Sequence, residues 1–209
     1  MIISQYNVTL KRVEAKDIEL IRQWRNHPSI SDHMEFKKKI TKKMQQEWFA
    51  SINNKYNYYF LIIYEGKKIG LINAKNYNEK EKYGEGGIMI WDKDYLSSPV
   101  PVFASLALLN FVFTLLKESK YSVVKIANKN KLAIQFNRQL GYEPMPEKKT
   151  KRGFMYYRLT KENYKKKAAK LNKAAAIISG TTDPVKVTGK ASDLHLESIN
   201  KLFRRSSKA

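Results

Sequence analysis

Gly84-Glu85-Gly86-Gly87-Ile88-Met89-Ile90-Trp91, followed after a turn by the apolar run of residues 103–116, is the stretch that decides the fold of this chain. Ile88 and Ile90 lie two residues apart, which predicts a pleated strand. Almost every residue from 104 to 116 is apolar, which predicts a buried helix rather than a surface one. A strand that leads into a helix leaves free backbone N–H groups and the positive end of the helix dipole at the junction, a suitable position for phosphate.

Length and composition indicate one domain with a substantial core, because the chain has 209 residues. The absence of cysteine excludes disulfides, thiolate zinc sites and a cysteine nucleophile. Three scattered histidines make no metal-binding pattern, so the sequence predicts no metal site.

No segment of the sequence has the pattern of a targeting or membrane segment. The N-terminus lacks a basic region followed by a long apolar run, so we do not predict a signal peptide. The longest apolar stretch, residues 99–116, contains Asn110 and two prolines. We therefore expect a cytoplasmic protein without a membrane partner.

The charge of the chain is strongly positive: 40 Lys and Arg face 19 Asp and Glu, a formal net charge of +21. Such an excess favours anionic partners, namely nucleic acid, nucleotide-linked ligands or acidic surfaces. Charge alone does not select among these partners, because the ammonium group of lysine is a point charge with little geometric specificity.

The local patterns alternate between strands and helices. Asp17, Thr41 and Asn130 have the side chains of helix N-caps, and Gly141 is suited to end the helix that Asn130 begins. Residues 29–39 form a polar loop, and Glu65-Gly66 predicts a hairpin. The predicted strands cover residues 7–13, 58–64, 68–74, 83–91, 122–127 and 154–159.

The composition changes at Thr160. An alanine-rich helix with Lys165-Lys166-Lys167 continues to about Ile178, and a short amphipathic helix follows a Gly- and Pro-containing break. We expect a main domain at residues 1–159 and a basic, helical or partly disordered extension at residues 160–209. Since the sheet looks complete at Leu159, removal of the extension should leave the core folded. His195, in this extension, has no evident partner.

Three motifs, in this order, resemble those of the GNAT acyltransferase superfamily over residues 8–159. Trp24-Arg25-Asn26-His27-Pro28 resembles a segment of the subgroup that contains amino-sugar N-acetyltransferases and ribosomal-protein N-terminal acetyltransferases. The segment from Gly84 to Ile90 resembles the family's fourth strand. Asn130-Lys131-Leu132-Ala133 and Leu140-Gly141-Tyr142 resemble its Asn-x-x-Ala and Leu-Gly-Phe motifs. The resemblance implies an α/β fold with a mixed, mostly antiparallel sheet flanked by helices and with a basic C-terminal extension.

The resemblance also implies a co-substrate, acetyl-CoA or another acyl-CoA. The family's fourth and fifth strands separate, and the pantetheine arm pairs with the fourth like an added strand. The loop before the long helix would hold the pyrophosphate. The residues implied to bind the co-substrate are Met89, Ile90, Trp91, Ser98, Val100, Val102, Phe103, Asn130, Ala133 and Phe136.

Glu85 occupies the position of the family's usual general base, which takes the proton of the attacking amine. The sequence departs from the family at two places. Its phosphate loop is Leu96-Ser97-Ser98-Pro99-Val100-Pro101, without the expected glycines, and proline removes an N–H donor. Asn137 stands where the family often has a tyrosine that protonates the departing thiolate; as the implied second catalytic residue it could donate a hydrogen bond but not a proton.

The acceptor is predicted to be a small-molecule amine that binds near the first helix and the loop after it. The candidate residues for this role are Arg25, Asn26, His27, His33, Met34 and Tyr77. The chain's tyrosines also offer flat surfaces for a nucleobase or a sugar ring.

Three functions fit these observations. The first is an acyl-CoA-dependent N-acetyltransferase that acts directly on a nucleotide-linked amino sugar. The second is a protein N-terminal or small-molecule amine acetyltransferase. The third is a GNAT-like binding module that has lost catalysis, which the altered loop and Asn137 favour. A homodimer and a nucleic-acid partner stay open in each case.

Overall fold

The computed structural model describes residues 1–32, 34–148, 150 and 153–206. Within these residues, nine strands form one sheet in the order β7-β8-β6-β5-β4-β3-β2-β1-β9. Neighbouring strands are antiparallel except β5 and β6, which are parallel. The strands are β1 (Ile2–Gln5), β2 (Val8–Arg12), β3 (Tyr58–Tyr64), β4 (Lys67–Asn78), β5 (Tyr83–Ile90), β6 (Tyr121–Ala127), β7 (Glu143–Pro144), β8 (Phe154–Thr160) and β9 (Lys186–Thr188).

Helices flank this sheet, and a short 3₁₀ turn (Ala15–Asp17) precedes the first of them. None of the helices in the described part of the chain is long and apolar enough to cross a membrane. The helices are α1 (Ile18–Asn26), α2 (Pro28–Ser31), α3 (Lys42–Ile52), α4 (Lys93–Leu96), α5 (Val100–Asn110, continued by a π-helical turn at Phe111–Leu116), α6 (Lys131–Leu140), α7 (Lys161–Ser179) and α8 (Glu197–Ser206).

The predicted α/β fold with a mixed, mostly antiparallel sheet is confirmed, and so are several helix ends. The Thr41 hydroxyl accepts a hydrogen bond from Met44 N at 3.2 Å. The Asn130 side chain accepts one from Ala133 N at 3.0 Å. Gly141 follows α6 with φ of 102°, a left-handed conformation that glycine adopts without strain.

Strand β1 was not predicted, because its turn lacks the usual sequence signal. Tyr6 and Asn7 connect β1 to β2 with φ of 52° and 61°. Such two-residue turns normally contain glycine, which the sequence does not have here. Strand β4 is also longer than predicted, because it covers Lys67–Asn78 instead of residues 68–74.

The two faces of the sheet carry separate apolar clusters. On one face, hereafter the α5 face, Ile88 and Ile90 join the larger cluster with residues of α5, α6, α7 and α8. On the other, the α1 face, Leu61, Leu71 and Met89 pack with residues of α1 and α3. Alternation along each strand thus decides which face a side chain joins.

The C-terminal segment is part of the core, which corrects the expectation that the sheet is complete at Leu159. Strand β9 pairs with β1 through Ile2 and Thr188, so the segment supplies an edge of the sheet. Tyr164 of α7 and Phe203 of α8 are buried in the larger cluster. The described part of the extension, residues 160–206, therefore packs against the sheet and contributes to its core.

A buried polar network joins α7 to α5 and to the first hairpin. The Asn110 amide group donates to Gln5 Oε1 at 2.8 Å and to Asn172 Oδ1 at 3.0 Å. The side-chain oxygen Oδ1 of Asn110 accepts from the Tyr164 hydroxyl, and the Tyr6 hydroxyl donates to Asn172 Oδ1 at 2.8 Å. Both amide hydrogens of Asn110 are therefore used, which makes the network costly to break.

His195 has partners, in contrast to the expectation from sequence. Its Nδ1 lies 2.7 Å from Arg12 Nη1, and its ring stacks on Tyr58 and meets Phe203 edge-on. Because a guanidinium only donates, Nδ1 accepts and the ring is neutral. Burial lowers the pKa of His195 to about 4, and the positive charges of Arg12 and the N-terminus act in the same direction.

The packing of the C-terminal segment predicts a large effect of Phe203→Ala. Phe203 is 2% exposed, so the substitution should lower the free energy of unfolding by about 3–5 kcal/mol. Ile177→Ala is the control, because Ile177 is 73% exposed and should change it by less than about 0.5 kcal/mol. Urea unfolding of both variants measures this, and equal effects would show that the segment does not stabilise the core.

The neutral, buried His195 predicts a pH dependence of stability. Its pKa is about 4 in the folded protein and about 6.5 in an unfolded chain. Between these values the unfolded chain binds the proton, so the stabilisation present above about pH 6.5 is lost as the pH falls. His195→Gln should reduce this slope in urea unfolding from pH 7 to 4, whereas His27→Gln, at an exposed position, should retain it. Identical slopes for the two variants would contradict the assignment.

Candidate functional site

Strands β5 and β6 pair at one end and then separate. Their parallel pairing covers Tyr83 to Glu85 of β5 and ends where Glu85 lies opposite Val123. Beyond that point β5 stays paired with β4 as far as Ile90, and β6 stays paired with β8 as far as Ala127. In the described structure, a gap thus opens between residues 86–90 and 124–127 with a free strand edge on β5.

The direction of the peptide groups decides which residues of β5 face this gap. Trp91 N donates to Ile69 O at 3.0 Å, so this residue hydrogen-bonds to β4. Opposite residues of an antiparallel pair alternate between hydrogen-bonded and non-hydrogen-bonded pairs. The backbone N–H and C=O of Met89, two residues before Trp91, therefore also point toward β4. The peptides of Ile88 and Ile90 then face the gap. Of the three residues expected to bind the pantetheine arm, only Ile90 has this orientation, and Ile88, which was not among them, has it too.

The N-terminus of α5 has its hydrogen-bond donors already engaged. Val100 N donates to Ser98 Oγ at 3.2 Å, while Val102 N and Phe103 N both donate to Pro99 O at 3.0 Å. A phosphate group could take the Val100 N–H only by replacing the Ser98 hydroxyl as its acceptor. Phosphate binding by this loop stays a prediction.

Helix α6 places the three residues expected to contact the co-substrate along its first turns. Asn130 is occupied as the N-cap, while Ala133 and Phe136 are partly buried against the larger cluster. Asn137 donates through Nδ2 to Ala133 O at 2.8 Å, within its own helix. One of its two amide hydrogens is thus used within the helix, and its role in catalysis stays a prediction.

Glu85 lies on the α1 face at the point where the strands separate. Its side chain is 22% exposed. Asn76 Nδ2 donates to Glu85 Oε2 at 3.2 Å, and Lys75 Nζ lies 3.7 Å from the same oxygen. The carboxylate is therefore held in place and still accessible, as a proton acceptor must be.

Arg25 is a partly buried cation on the same face. Its Nε is buried without a hydrogen-bond partner, and among the described residues no carboxylate pairs with the guanidinium. Burial lowers the pKa of Arg25. Tyr59 lies close enough to both Arg25 and Glu85 for each to affect it: burial raises the pKa of Tyr59, Arg25 lowers it and Glu85 raises it. Arg25 and Glu85 thus belong to one electrostatic site.

The other residues predicted to bind the acceptor have different positions. Asn26 bonds twice to the backbone of Ile40, at 2.7 and 2.8 Å, so it fixes the loop. His27 caps α2 through Ser29 N. His33 lies outside the described residues.

Tyr77 is the clearest difference from the prediction, because its ring packs with the larger cluster. It therefore lies with the apolar cluster of the α5 face and away from Arg25. Met34, in contrast, packs with the smaller cluster that contains α1.

The loop that contains Met34 borders a groove of about 390 Å³ beside the end of β6. Lys125 of β6 shares the α1 face with Val123 and pairs with Glu35 of this loop at 2.8 Å. The groove thus lies along the strand that neighbours Glu85. Its lining residues are Asp32, Met34, Glu35, Lys37, Ala127, Asn128, Lys129, Gly153 and Phe154.

Sequence reasoning missed two hydroxyl groups at the separation of the strands. Ser122 Oγ and Tyr142 Oη are 2.9 Å apart and buried. A Cβ added to Gly86 would lie 3.5 Å from each of them, so both hydroxyls lie against this glycine on the α5 face. The sequence did contain a signal, since Tyr142 stands where the Leu-Gly-Phe motif has phenylalanine.

Comparisons with known proteins agree with this architecture. The family profile described as the acetyltransferase (GNAT) domain matches residues 7–143. None of the curated proteins compared with the chain matches it.

Solved structures with similar folds include three with TM-scores above 0.6. The apo structure of FdhC, described as a nucleotide-linked sugar GNAT, has a TM-score of 0.67 and 21% identity, covering 81% of this chain and 96% of that one. Spermidine N-acetyltransferase from Vibrio cholerae in complex with CoA and spermine has a TM-score of 0.65 and 18% identity, covering 77% and 99%. A domain from Methanocaldococcus jannaschii has a TM-score of 0.63 and 18% identity, covering 73% and 97%. At such identities these structures support the fold alone.

Proposed function

The chain belongs to the GNAT acetyltransferase family, and we propose that it transfers an acetyl group from acetyl-CoA to the amine of a nucleotide-linked amino sugar. The observation that carries the proposal is the gap after Glu85, with that carboxylate and Arg25 on the same face of the sheet. Within the part of the chain that the structure describes, no carboxylate pairs with Arg25. The gap is the argument for acetyl-CoA as the acyl donor, and the charges are the argument for a nucleotide-linked acceptor.

The free edge of β5 suits the pantetheine arm. An extended chain that carries amide groups can add to an open strand edge by backbone hydrogen bonds. The peptides of Ile88 and Ile90 provide such an edge, and the separation of β6 provides the width. The same N–H groups can polarise the thioester carbonyl, because they are fixed before the reaction begins.

Glu85 is the proton acceptor in this proposal. The amine must lose a proton when it forms the new C–N bond, and a carboxylate within reach can take it directly or through one water. Lys75 and Asn76 hold the carboxylate on the α1 face, where the groove beside β6 also opens. The acceptor therefore approaches from the α1 face.

The charges on this face favour an anionic acceptor over a polyamine. Arg25 is buried at Nε and has no counter-ion among the described residues, and a buried cation is costly unless it is paired. A guanidinium fits the oxygens of phosphate through two parallel hydrogen bonds. The carboxylates of Glu35 and Glu85 each already have a lysine, at 2.8 and 3.7 Å. A nucleotide-linked sugar supplies the missing negative charge, whereas a polyamine adds more positive charge.

Glu85→Gln should lower kcat by roughly 10²–10⁴-fold, because an amide cannot take the proton of the amine. Glu79→Gln is the control: it removes the same charge from an exposed position between β4 and β5, and it should retain the wild-type rate. The measurement is the release of CoA at saturating acceptor. A Glu85→Gln variant as active as the control would remove Glu85 from the mechanism.

Arg25→Gln should raise KM for the acceptor by about 10–100-fold, the effect of losing a charged hydrogen bond, with a smaller change in kcat. Arg204→Gln, at an exposed position of α8, is the matched control. The assay offers acetyl-CoA with UDP- and dTDP-linked amino sugars, with short peptides and with spermidine.

Turnover of nucleotide-linked sugars with an Arg25-dependent KM is the expected result. Turnover of peptides or spermidine alone would refute the sugar assignment and favour the protein N-terminal or small-molecule alternative. No turnover with any acceptor, together with no binding of acetyl-CoA, would favour a binding module.

A further inference from the structure

Two buried hydroxyls lie directly beneath the point where β5 and β6 separate. Ser122 of β6 and Tyr142, which follows α6, are 2.9 Å apart at their oxygens. A Cβ on Gly86 would be 3.5 Å from either oxygen. Because residue 86 has no side chain, nothing of this residue covers the two hydroxyls on the side of the gap.

One of the two hydroxyl hydrogens of this pair is left without an acceptor. Each hydroxyl carries one hydrogen, and the bond between the two oxygens uses one of them. Among the described residues, neither hydroxyl has another hydrogen-bond partner. A buried donor without an acceptor costs free energy, so the pair is ready to donate to an acceptor that enters the gap.

Building on the proposed function, we propose that the Ser122–Tyr142 pair donates a hydrogen bond to the thioester sulfur as it leaves. Asn137 stands where a proton donor is expected, but its amide donates within its own helix at 2.8 Å. The hydroxyl pair supplies a hydrogen-bond donor, not a proton donor, from a different part of the chain. Glu85 acts from the α1 face of the sheet and the hydroxyl pair acts from the α5 face, both at the point where β5 and β6 separate.

The atoms balance without a proton transfer from the pair. The amine nitrogen bonds to the thioester carbonyl carbon and gives its proton to Glu85. The C–S bond then breaks, and sulfur leaves with the electron pair as a thiolate, which water protonates later. Ser122 and Tyr142 keep their protons throughout and stabilise the negative charge on sulfur.

The acidities of the groups explain why the pair donates a hydrogen bond rather than a proton. Burial raises the pKa of Tyr142 to about 12. A thiol has a pKa of about 8.5. A thiolate therefore does not remove the proton of Tyr142, but it accepts a strong, charge-assisted hydrogen bond from it.

The double variant S122A/Y142F tests the proposal, because either hydroxyl can hold the unused hydrogen. Replacement of both partners of a buried hydrogen bond by apolar groups of similar shape is nearly neutral for stability, so we expect the variant to fold. It should lower kcat with the best acceptor by about 10–100-fold, the worth of a hydrogen bond to a charged group, with little change in KM for acetyl-CoA. Tyr157→Phe, which removes another hydroxyl from the same apolar cluster, should retain the wild-type rate.

A second measurement does not depend on turnover. The affinity of CoA, relative to desulfo-CoA, is measured by calorimetry from pH 7 to 10. In the wild type, stabilisation of the thiolate should lower the pKa of the bound thiol by about one to two units relative to the double variant. Asn137→Tyr, which places a hydroxyl at the family's position, should restore part of kcat in the double variant.

The outcomes separate this inference from the proposed function. Equal kcat and equal thiol pKa in the wild type and the double variant would overturn the role of the pair while acetyl transfer stands. A lower kcat with an unchanged thiol pKa would show that the hydroxyls act on packing and not on sulfur, which also overturns it. A wild type that binds no acetyl-CoA would overturn the proposed function, and the inference with it.

Discussion

Hydrogen bonding between β5 and β6 stops after Glu85 and Val123, and the arrangement of the site depends on this interruption. Each strand is held on its other side, β5 by β4 and β6 by β8, so the gap is fixed in place by two intact ladders. An unpaired strand edge is normally a liability that proteins cover. Here it provides a template for an extended, amide-containing ligand. It also places the Glu85 carboxylate and the Ser122–Tyr142 hydroxyl pair on opposite faces of the sheet, at the point where the two strands separate.

The C-terminal segment stabilises the half of the sheet that is far from this gap. Strand β9 covers the edge of β1, and the network around Asn110 ties α7 to α5 and to the first hairpin. Helix α5 is almost entirely apolar and buried, so Asn110 is a polar group that must be satisfied inside the core. The segment meets this requirement through Tyr164 and Asn172. A polar network of this kind fixes the position of the helix that follows the gap.

The sequence allowed the fold to be predicted, together with the position of Glu85 on the strand that borders the gap, because the evidence for both is local. Thr41, Asn130 and Gly141 are identifiable as helix ends from side-chain chemistry, and Glu85 is identifiable from its motif. The role of α7 was hidden by its composition: lysines dominate its exposed faces, while Tyr164 and small alanines form the buried one. The Arg12–His195 contact joins residues 183 positions apart, which no local pattern reveals. The orientation of the peptides of Met89 and Ile90 depends on register, and a shift of one residue would reverse it.

The most direct test of whether the acyl donor binds in the gap is amide hydrogen exchange of β5. Exchange is measured residue by residue, with and without saturating acetyl-CoA. The amides of Met89 and Trp91 bond to β4 and should exchange slowly in both states. Those of Ile88 and Ile90 face the gap, and their exchange should slow when the ligand pairs with the strand edge. Unchanged exchange at Ile88 and Ile90 in the saturated complex would contradict the account.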